Sequence, residues 1–347
     1  MTDGGFESDA VVTLEQGAGG KAMRDLVSGI LTAGFPDDSL EVGREAMDDG
    51  AVVPIGDRNV VFTTDSHVVQ PPFFPGGDIG RLAVSGTVND LAVMGATDVT
   101  ALTSAVVVEA GYPEADLERI AASMGRACRE ADAPVVTGDT KVMGNGEGDG
   151  VVLNTTGVGV ADRLTPDDGL SPDDVIVVTG EVGRHGVALL AEREGIDFGT
   201  VLESDVRPIN DLLAGALAAA DASAGVVAMK DPTRMGLAGA VNEMAEKSGV
   251  GVELRQERIP VPADVKGASE MLGLNPLQIA NEGIAVLGVD PAALEDVLAA
   301  LRSHPDGRAA AAIGKATDER PGRVRLDTGL GVRYLREPAT EPAPRIC

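Results

Sequence analysis

The chain has 347 residues, 44% of them hydrophobic, and its 55 acidic and 28 basic residues give a formal net charge of −27. This length can bury sizeable cores and predicts two domains. The negative charge disfavours nucleic acid and anionic membranes as partners, because phosphate contacts need clustered Lys and Arg. No apolar run approaches the about 20 residues that span a bilayer, and the first residues lack the basic start and apolar stretch of a signal peptide. We therefore expect a cytoplasmic protein.

Short apolar, β-branched runs alternate with amphipathic stretches along the chain, which predicts an α/β or α+β fold. We expect strands at 60–64, 99–108, 135–137, 151–160, 175–179, 225–230, 251–254 and 283–288. We expect helices at 21–31, 81–94, 113–131, 187–193, 206–220, 236–247 and 291–302. Turn-forming residues replace any periodic pattern at 161–172, which indicates a linker. The predicted units are an N-terminal domain (1–165), a C-terminal domain (170–335) and a tail (336–347).

A glycine cluster precedes the first predicted helix. The run Gln16-Gly17-Ala18-Gly19-Gly20-Lys21 leads directly into the helical pattern, so free backbone N–H groups and the helix dipole can meet an anion there. It is neither a P-loop nor a dinucleotide fingerprint, since it lacks the Gly-Lys-Ser/Thr ending and a framing βαβ unit. A second glycine turn, Phe73-Phe74-Pro75-Gly76-Gly77-Asp78, precedes the second helix, and its aromatic pair is typical of core or interface packing.

Carboxylates recur at four separated places in the first half. Asp48 and Asp49 are adjacent, Asp65 and Asp139 each follow a predicted strand, and Asp90 lies within the 81–94 helix. Oxygen ligands from several loops, without His or Cys, are what Mg²⁺ bridging nucleotide phosphates prefers. In so acidic a chain a single aspartate also fits plain surface solvation, and only the placement of these residues at glycine-flanked element ends favours a site.

Three polar residues of the second half invite a chemical interpretation. Asp231 can cap the helix that begins near Gly236, with Pro232 at its first position, or it can have a functional role. Arg234 in the same turn is suited to phosphate oxygens. Glu282 follows Asn281 and precedes Gly283, ahead of an apolar strand, where a general base could be held rigidly.

The scarce cysteines and histidines carry less information, with one exception. Cys128 lies on the apolar face of the 113–131 helix and is predicted to pack in the core. His67 either borders a nucleotide or packs, and His185 and His304 are assigned no role. Cys347 ends a run with three prolines in eight residues, which favours an extended arm and so a thiol that can move between sites, although a frayed terminus would look similar.

Several of these motifs recur together in one family. In order, they are Gly17-Ala18-Gly19-Gly20, Thr63-Thr64-Asp65-Ser66, the 73–80 turn, Gly86-Thr87-Val88-Asn89-Asp90, Gly138-Asp139-Thr140-Lys141, Asp231-Pro232-Thr233-Arg234, Asn281-Glu282-Gly283 and Pro344-Arg345-Ile346-Cys347. The set resembles the HypE family of hydrogenase-maturation carbamoyl dehydratases, within the aminoimidazole ribonucleotide synthetase (PurM-like) superfamily. The resemblance spans nearly the whole chain, and the Pro-Arg-Ile-Cys ending is specific to the HypE branch.

The resemblance implies a two-domain PurM-like α/β fold, a homodimer formed through the N-terminal sheet, and ATP near that interface. It implies nucleotide or phosphate contacts by Gly17, Gly19, Gly20, Asp65, Asn89, Asp139, Thr140, Asp231 and Arg234. It implies Mg²⁺ ligands among Asp48, Asp49, Asp65, Asp90 and Asp139. Departures from the family pattern are Arg184, where an acidic residue is expected, and Met235, where glycine is usual.

The resemblance also implies a reaction. A carbamoyltransferase, HypF, loads a carbamoyl group onto Cys347, and ATP-dependent dehydration gives a thiocyanate whose cyanide passes to iron on the HypC–HypD complex. Cys347, Lys141 and Glu282 are then the catalytic residues, with Lys141 offsetting charge and Glu282 removing protons, or the reverse. Two alternatives remain, another phosphoryl-transfer enzyme of the superfamily acting on a free small molecule and a non-catalytic assembly scaffold.

Overall fold

The computed structural model describes residues 11–17, 20–36, 40–196, 198–199, 201–219, 225–338, 342 and 346. Two mixed β-sheets with packed helices make up most of this part of the chain, and the predicted α/β class is confirmed. Within these ranges, no helix combines the length and apolar character needed to cross a bilayer.

The described residues of the first half form seven strands and three α-helices. The strands are β1 (Ala51–Ile55), β2 (Arg58–His67), β3 (Phe73–Phe74), β4 (Gly77–Asp78), β5 (Asp98–Glu109), β6 (Val135–Met143) and β7 (Val151–Ala161). The helices are α1 (Gly20–Leu26), continued by a π-helical turn at Val27–Leu31, α2 (Ile79–Val93) and α3 (Glu114–Glu130). Five strands form a sheet in the order β1-β2-β7-β5-β6, antiparallel except for the β5–β6 pair.

The second half forms a larger sheet. Its strands are β8 (Val175–Val178), β9 (Val226–Lys230), β10 (Gly251–Arg255), β11 (Val286–Val289), β12 (Ala311–Thr317), β13 (Val324–Asp327) and β14 (Val332–Tyr334). Its helices are α4 (Arg184–Glu194), α5 (Asn210–Ala218), α6 (Gly236–Lys247), α7 (Ala263–Leu272) and α8 (Leu294–Ser303). The strand order is β14-β13-β10-β12-β8-β11-β9, and only the β10–β13 pair is parallel.

Helix α2 lies between the two halves and is buried almost throughout, because β2 and β7 contact it on one side and α5 on another. Its first turn is capped by Asp78, whose carboxylate accepts a hydrogen bond from the backbone N–H of Arg81 at 2.9 Å. Gly157 of β7 allows the close approach, since a Cβ there would lie 2.8 Å from Leu91 Cδ1. The helix therefore presents Asn89 and Asp90 at the junction of the halves.

The main departure from the predicted elements concerns β6. The motif Gly138-Asp139-Thr140-Lys141 lies inside this strand rather than after it, because parallel pairing with β5 continues as far as Met143. A Cβ on Gly138 would approach the Ser104 carbonyl oxygen to 2.0 Å, so only glycine fits this pairing. Asp65 likewise lies within β2, two residues before its end, and not after the strand.

Other elements differ in extent or were not predicted. The helix expected at 206–220 begins only at Asn210, because residues 201–209 have no regular structure and most of 204–209 are buried in the interior. The pattern did not predict β1, α7, β12, β13 and β14. No helix or strand occupies 162–174, which includes most of the proposed linker, and the domain limits 1–165 and 170–335 stay a prediction.

Candidate active site

A cavity of about 750 Å³ lies at the junction of the two halves. Six of the sequence-predicted carboxylates line it, four from the first half and two from the second: Asp48, Asp49, Asp65, Asp90, Asp231 and Glu282. The predicted phosphate-contacting residues Gly20 and Arg234 line the same cavity. Residues far apart in the sequence therefore meet at one site.

Secondary structure fixes the carboxylates that face the cavity. Asp90 projects from α2 and accepts a hydrogen bond from the Thr63 hydroxyl at 2.8 Å. Asp231 directly follows β9. The proposed alternative that Asp231 caps α6 is wrong, because the helix begins at Gly236 and the residue at the N-cap position is Met235.

The loop that carries Glu282 is held by backbone contacts. The Glu282 N–H donates to Asp205 Oδ1 at 3.1 Å, and the Glu282 carbonyl accepts from the Arg207 N–H at 3.2 Å and from Asn89 Nδ2 at 3.3 Å. The side chain of Asn281 accepts from the Gly183 N–H at 2.6 Å. The expected rigid loop is therefore present, and Asn89 supports it from behind rather than lining the cavity.

The carboxylates crowd one another. Burial raises the pKa of Asp90, Asp231 and Glu282 well above the usual range, and nearby carboxylates raise each of them further. Burial also opposes ionisation of Asp65, but His67, whose Nε2 lies 3.1 Å from Asp65 Oδ2, and Arg234 outweigh it and lower its pKa to about 2. The cavity wall is thus short of positive charge.

This donor set fits a hard cation. In the described part of the chain, Asp49 Oδ2 and Asp231 Oδ2 are buried without a hydrogen-bond donor, and unpaired carboxylate oxygens are what Mg²⁺ binds. The same part of the chain contains no ready-made group of three such ligands. The carboxylates therefore surround a space for a cation rather than a preassembled cage.

A buried cation network, which the sequence did not predict, lies beside Asp48 and Asp49. Lys230 Nζ lies 2.9 Å from Asp49 Oδ1 and 3.1 Å from Asp167 Oδ2, and Lys247 Nζ lies 2.7 Å from the same Asp167 oxygen. Asp48 receives less compensation, because burial and then Asp49 and Asp167 raise its pKa to about 7. The carboxylates that line the cavity form an acidic wall, and Lys230 neutralises the end of this wall that contains Asp49.

The turn before α6 has an unusual backbone. Met235 has φ +63° and Gly236 has φ +58°, both in the left-handed region that favours glycine. The departure of Met235 from the family pattern thus falls on a position where a side chain costs conformational energy. Its buried side chain lines the cavity beside Arg234 and lies 3.2 Å from where a Cβ on Gly20 would sit.

Of the remaining predicted residues, those within the described ranges do not line the cavity. Gly17 ends a short 3₁₀ turn and does not line it, and Gly19 and Cys347 lie outside the described residues. Asp139, Thr140 and Lys141 lie on the exposed β6 edge, where Lys141 Nζ is 2.9 Å from Asp139 Oδ2. Cys128, in contrast, packs against the core as expected.

The penultimate residue of the chain returns to the core. Ile346 is 1% exposed and belongs to an apolar cluster that includes Phe74, Val206 and Ala280. Its carbonyl oxygen lies 2.8 Å from Nε2 of His185, a histidine to which no role was assigned from its pattern. Only knowledge that the chain end returns to this helix could have singled out His185.

Two family models cover most of the chain. The model described as AIR synthase related protein, N-terminal domain, matches residues 47–161, and the corresponding C-terminal domain model matches residues 171–327. The chain therefore belongs to the AIR synthase-related family, whose two-domain PurM-like fold accounts for the two sheets.

Full-length relatives narrow this assignment. The chain is 45% identical over 340 residues to a putative hydrogenase expression/formation protein of Methanocaldococcus jannaschii, covering 97% of this chain and 99% of that protein. It is 44% identical over 339 residues to carbamoyl dehydratase HypE of Cupriavidus necator, covering 97% and 95%. Within its family, the chain belongs to the HypE carbamoyl dehydratases.

Solved structures of HypE proteins are similar to this chain over most of its length. A HypE–HypF complex superposes with a TM-score of 0.83 at 36% identity, covering 90% of this chain and 99% of that one. HypE in complex with ATP superposes with a TM-score of 0.80 at 36% identity, covering 97% and 100%.

Proposed function

We propose that this protein dehydrates a thiocarboxamide on its own Cys347 to a thiocyanate, with ATP as co-substrate, in the maturation of [NiFe]-hydrogenase. The observation that carries the proposal is the buried Ile346, because it brings the end of the chain into the fold beside the loop that holds Glu282. Ala280, in the same apolar cluster as Ile346, is two residues from Glu282. This placement of Ile346 supports the tail as the substrate of the site beside it.

The chemistry needs a better leaving group than an amide oxygen. The carbamoyl oxygen attacks the γ-phosphorus of ATP, ADP leaves, and one N–H proton is lost to give an O-phosphorylated intermediate. Loss of the second N–H proton with cleavage of the C–O bond releases phosphate and forms S–C≡N. The oxygen atom of the thiocarboxamide leaves in phosphate, so the balance is a dehydration driven by ATP hydrolysis.

Glu282 is the group we assign to the amide protons. Burial and nearby carboxylates raise its pKa even with Arg234 in place, so its ionised form is a strong base, and a cation bound among those carboxylates would favour that form. Arg234 and the N–H groups near Gly20 are suited to the phosphates. Mg²⁺ held by some of Asp48, Asp49, Asp65 and Asp90 would neutralise the charge of the triphosphate.

Lys141 and Asp139 fit this scheme through a second copy of the chain. Strand β6 is an unpaired sheet edge, and eight of its nine residues are exposed, including Val136 and Val142. An exposed edge with apolar side chains favours pairing with another chain. We infer a homodimer through this sheet, in which β6 of one copy brings Lys141, Asp139 and Thr140 to the cavity of the other.

The partners follow from the reaction. A relative has been solved as a HypE–HypF complex, and we propose HypF as the carbamoyltransferase that loads Cys347. The thiocyanate then requires an acceptor of cyanide, for which we propose the HypC–HypD complex. The net charge of −27 disfavours nucleic acid as a partner in any of these steps.

Intact-mass spectrometry of the C-terminal peptide tests the proposal. The protein is incubated with carbamoyl phosphate, ATP, Mg²⁺ and the carbamoyltransferase in high salt, with Cys347→Ala as the control. We expect a carbamoyl adduct on Cys347 that loses water only when ATP is present. If an active carbamoyltransferase leaves Cys347 unmodified while ATP is consumed, the substrate is a free small molecule and the tail mechanism is wrong.

A further inference from the structure

The end of the chain docks at a formed site. The side chain of Ile346 is buried, and its carbonyl oxygen lies 2.8 Å from His185 Nε2, so both its apolar and its polar group are satisfied. Burying an isoleucine side chain and pairing a buried carbonyl both stabilise the docked state.

The hydrogen-bond pattern determines the tautomer of His185. A carbonyl oxygen only accepts, so Nε2 carries the proton, and Nδ1 must accept from the Ser204 hydroxyl at 2.7 Å. The Ser204 Oγ in turn accepts from the Val206 N–H at 3.0 Å, which leaves its own proton for His185. Burial lowers the pKa of His185 to about 4, against the opposing effect of the Ile346 carbonyl, so the ring is neutral at pH 7.

The second glycine turn supports this arrangement. The Ser204 N–H donates to the Pro75 carbonyl at 2.9 Å, and a Cβ on Gly76 would lie 2.7 Å from the Ser204 carbonyl oxygen. Gly76 also has φ +90°, a conformation that L side chains rarely adopt. The ring of Phe74 meets His185 edge-on, with 5.5 Å between centroids. The imidazole is thus locked by packing and by hydrogen bonds.

The same segments position the loop of Glu282. Asp205, next to Ser204, accepts from the Glu282 N–H at 3.1 Å. Gly186, next to His185, donates its N–H to the Ala280 carbonyl at 3.1 Å. The receptor for the tail and the proposed base are therefore held by one connected set of short contacts.

We propose that His185 is a positioning residue, which captures the carbonyl of the penultimate residue and so holds the group on Cys347 for reaction at Glu282. This inference rests on the proposed role of the tail as carrier. A peptide bond joins Ile346 to Cys347, so a fixed Ile346 carbonyl leaves few rotatable bonds between the anchor and the thiol. The same contact opposes release of the tail to the loading partner.

The test separates the two half-reactions. Single-turnover dehydration of the preloaded carbamoyl protein at saturating ATP is compared with the rate of loading by the carbamoyltransferase, in full-length protein. His185→Phe keeps a ring beside Phe74 but removes the donor, whereas His185→Gln keeps an N–H donor near the position of Nε2. His304→Phe, a histidine whose Nε2 lies 3.3 Å from exposed Asp211, is the matched control.

We expect His185→Phe to slow dehydration about tenfold and to speed loading, because about one hydrogen bond to the docked tail is lost. His185→Gln should recover much of both rates, and the affinity for ATP should stay unchanged. Alkylation of Cys347, followed on the C-terminal peptide, should also be about tenfold faster in His185→Phe than in the wild type. A purely structural role would not speed loading or be restored by glutamine.

Wild-type rates of dehydration, loading and alkylation in His185→Phe would overturn the inference. If that variant does not fold, Ile346→Asp replaces it. A carboxylate in the apolar pocket should likewise slow dehydration and speed loading, and unchanged rates would again refute the docking role. A wild-type protein whose Cys347 is loaded but whose carbamoyl group is never dehydrated would refute the proposed function instead. In that case the alkylation rates of Cys347 still decide whether His185 holds the tail.

Discussion

Glu282 and Lys141 are predicted to act in one reaction, yet their surroundings differ. Glu282 is 3% exposed, and three hydrogen bonds from the first and second halves hold its backbone. The Lys141 side chain is 68% exposed, and it pairs with Asp139 on the same strand. The cavity carboxylates are thus in place within one copy, whereas Lys141 lies on the exposed edge strand β6, an arrangement that fits the proposal that a second copy completes the site.

Replacing Glu282 tests the buried side of this comparison and should have the largest effect. Glu282→Gln keeps the size and backbone contacts of the loop but cannot accept a proton, so we expect single-turnover dehydration to fall by about 10²–10⁴. ATP affinity, measured by calorimetry, should change little. Glu253→Gln, a surface carboxylate paired with Arg325, is the control and should react at the wild-type rate. A Glu282→Gln enzyme with full activity would remove it from the mechanism.

Mixing two inactive variants tests whether Lys141 acts across the interface. Lys141→Ala and Glu282→Ala should each be nearly inactive alone. After unfolding and refolding together, half of the dimers contain one copy of each, and each such dimer has one intact site of two. Activity should then recover to about a quarter of the wild type, as two-fold symmetry requires. No recovery, with mixed dimers verified by mass spectrometry, would place Lys141 and Glu282 in the same copy.

Lys230→Met tests how much the buried cation stabilises the acidic wall. The variant leaves Asp49 and Asp167 buried without their shared cation, so we expect the free energy of unfolding to fall by about 3–5 kcal/mol. Denaturant titration measures it, with Lys315→Met, an exposed pair with Asp173, as a control that should change by less than about 0.5 kcal/mol. A loss no larger than the control would mean that Lys230 is dispensable for the wall.

Charging the β6 edge tests the exposed side. The Val136 side chain contacts solvent in a single copy, so Val136→Asp should leave the fold intact but shift sedimentation from dimer to monomer, with at least about a tenfold weaker dimer. Val201, which is as exposed but lies outside β6, provides Val201→Asp as the control. Unchanged sedimentation of Val136→Asp would exclude this edge as the interface.

The smallest effect concerns Asp48 and pH. Its pKa is raised in the folded state to about 7, so the folded protein binds this proton more tightly and loses stability as the pH rises from about 4 through 7. Asp48→Asn removes that loss, which a pKa of about 7 against about 4 puts at up to about 4 kcal/mol, but it also weakens the hydrogen bond that Asp48 Oδ2 accepts from the Asp167 N–H. At pH 8 without nucleotide we therefore expect a net gain of about 1 kcal/mol. The gain in stability should vanish at pH 4. An equal gain at pH 4 and pH 8 would contradict the raised pKa of Asp48.

Local pattern predicted much of the fold and the acidic wall. Strand β7 alternates buried and partly buried residues along its whole length, and its predicted extent is one residue short. The Asp90 and Glu282 assignments relied on a predicted helix at 81–94 and on a glycine-flanked loop, and the structure contains both. Such features are encoded within about ten residues and so can be read locally.

The remainder depends on distant partners. Lys230 meets Asp49, 181 residues away, and His185 meets Ile346, 161 residues away, and no local pattern signals either contact. Strand β14 has three exposed residues, so it lacks the alternation by which strands are recognised. The motif around Lys141 predicts a catalytic role, but the proposed route of Lys141 to the cavity requires a second copy of the chain, which no local pattern can position.

If a partner loads Cys347 as proposed, the docked Ile346 makes the protein a competitor of that partner. A loading enzyme can engage only molecules whose tail is released, so its apparent dissociation constant is the intrinsic value divided by the released fraction. If one tail in about a hundred is free, the partner binds about a hundredfold more weakly than the bare peptide would suggest. Anything that loosens the hold of His185 would therefore act as an activator of loading.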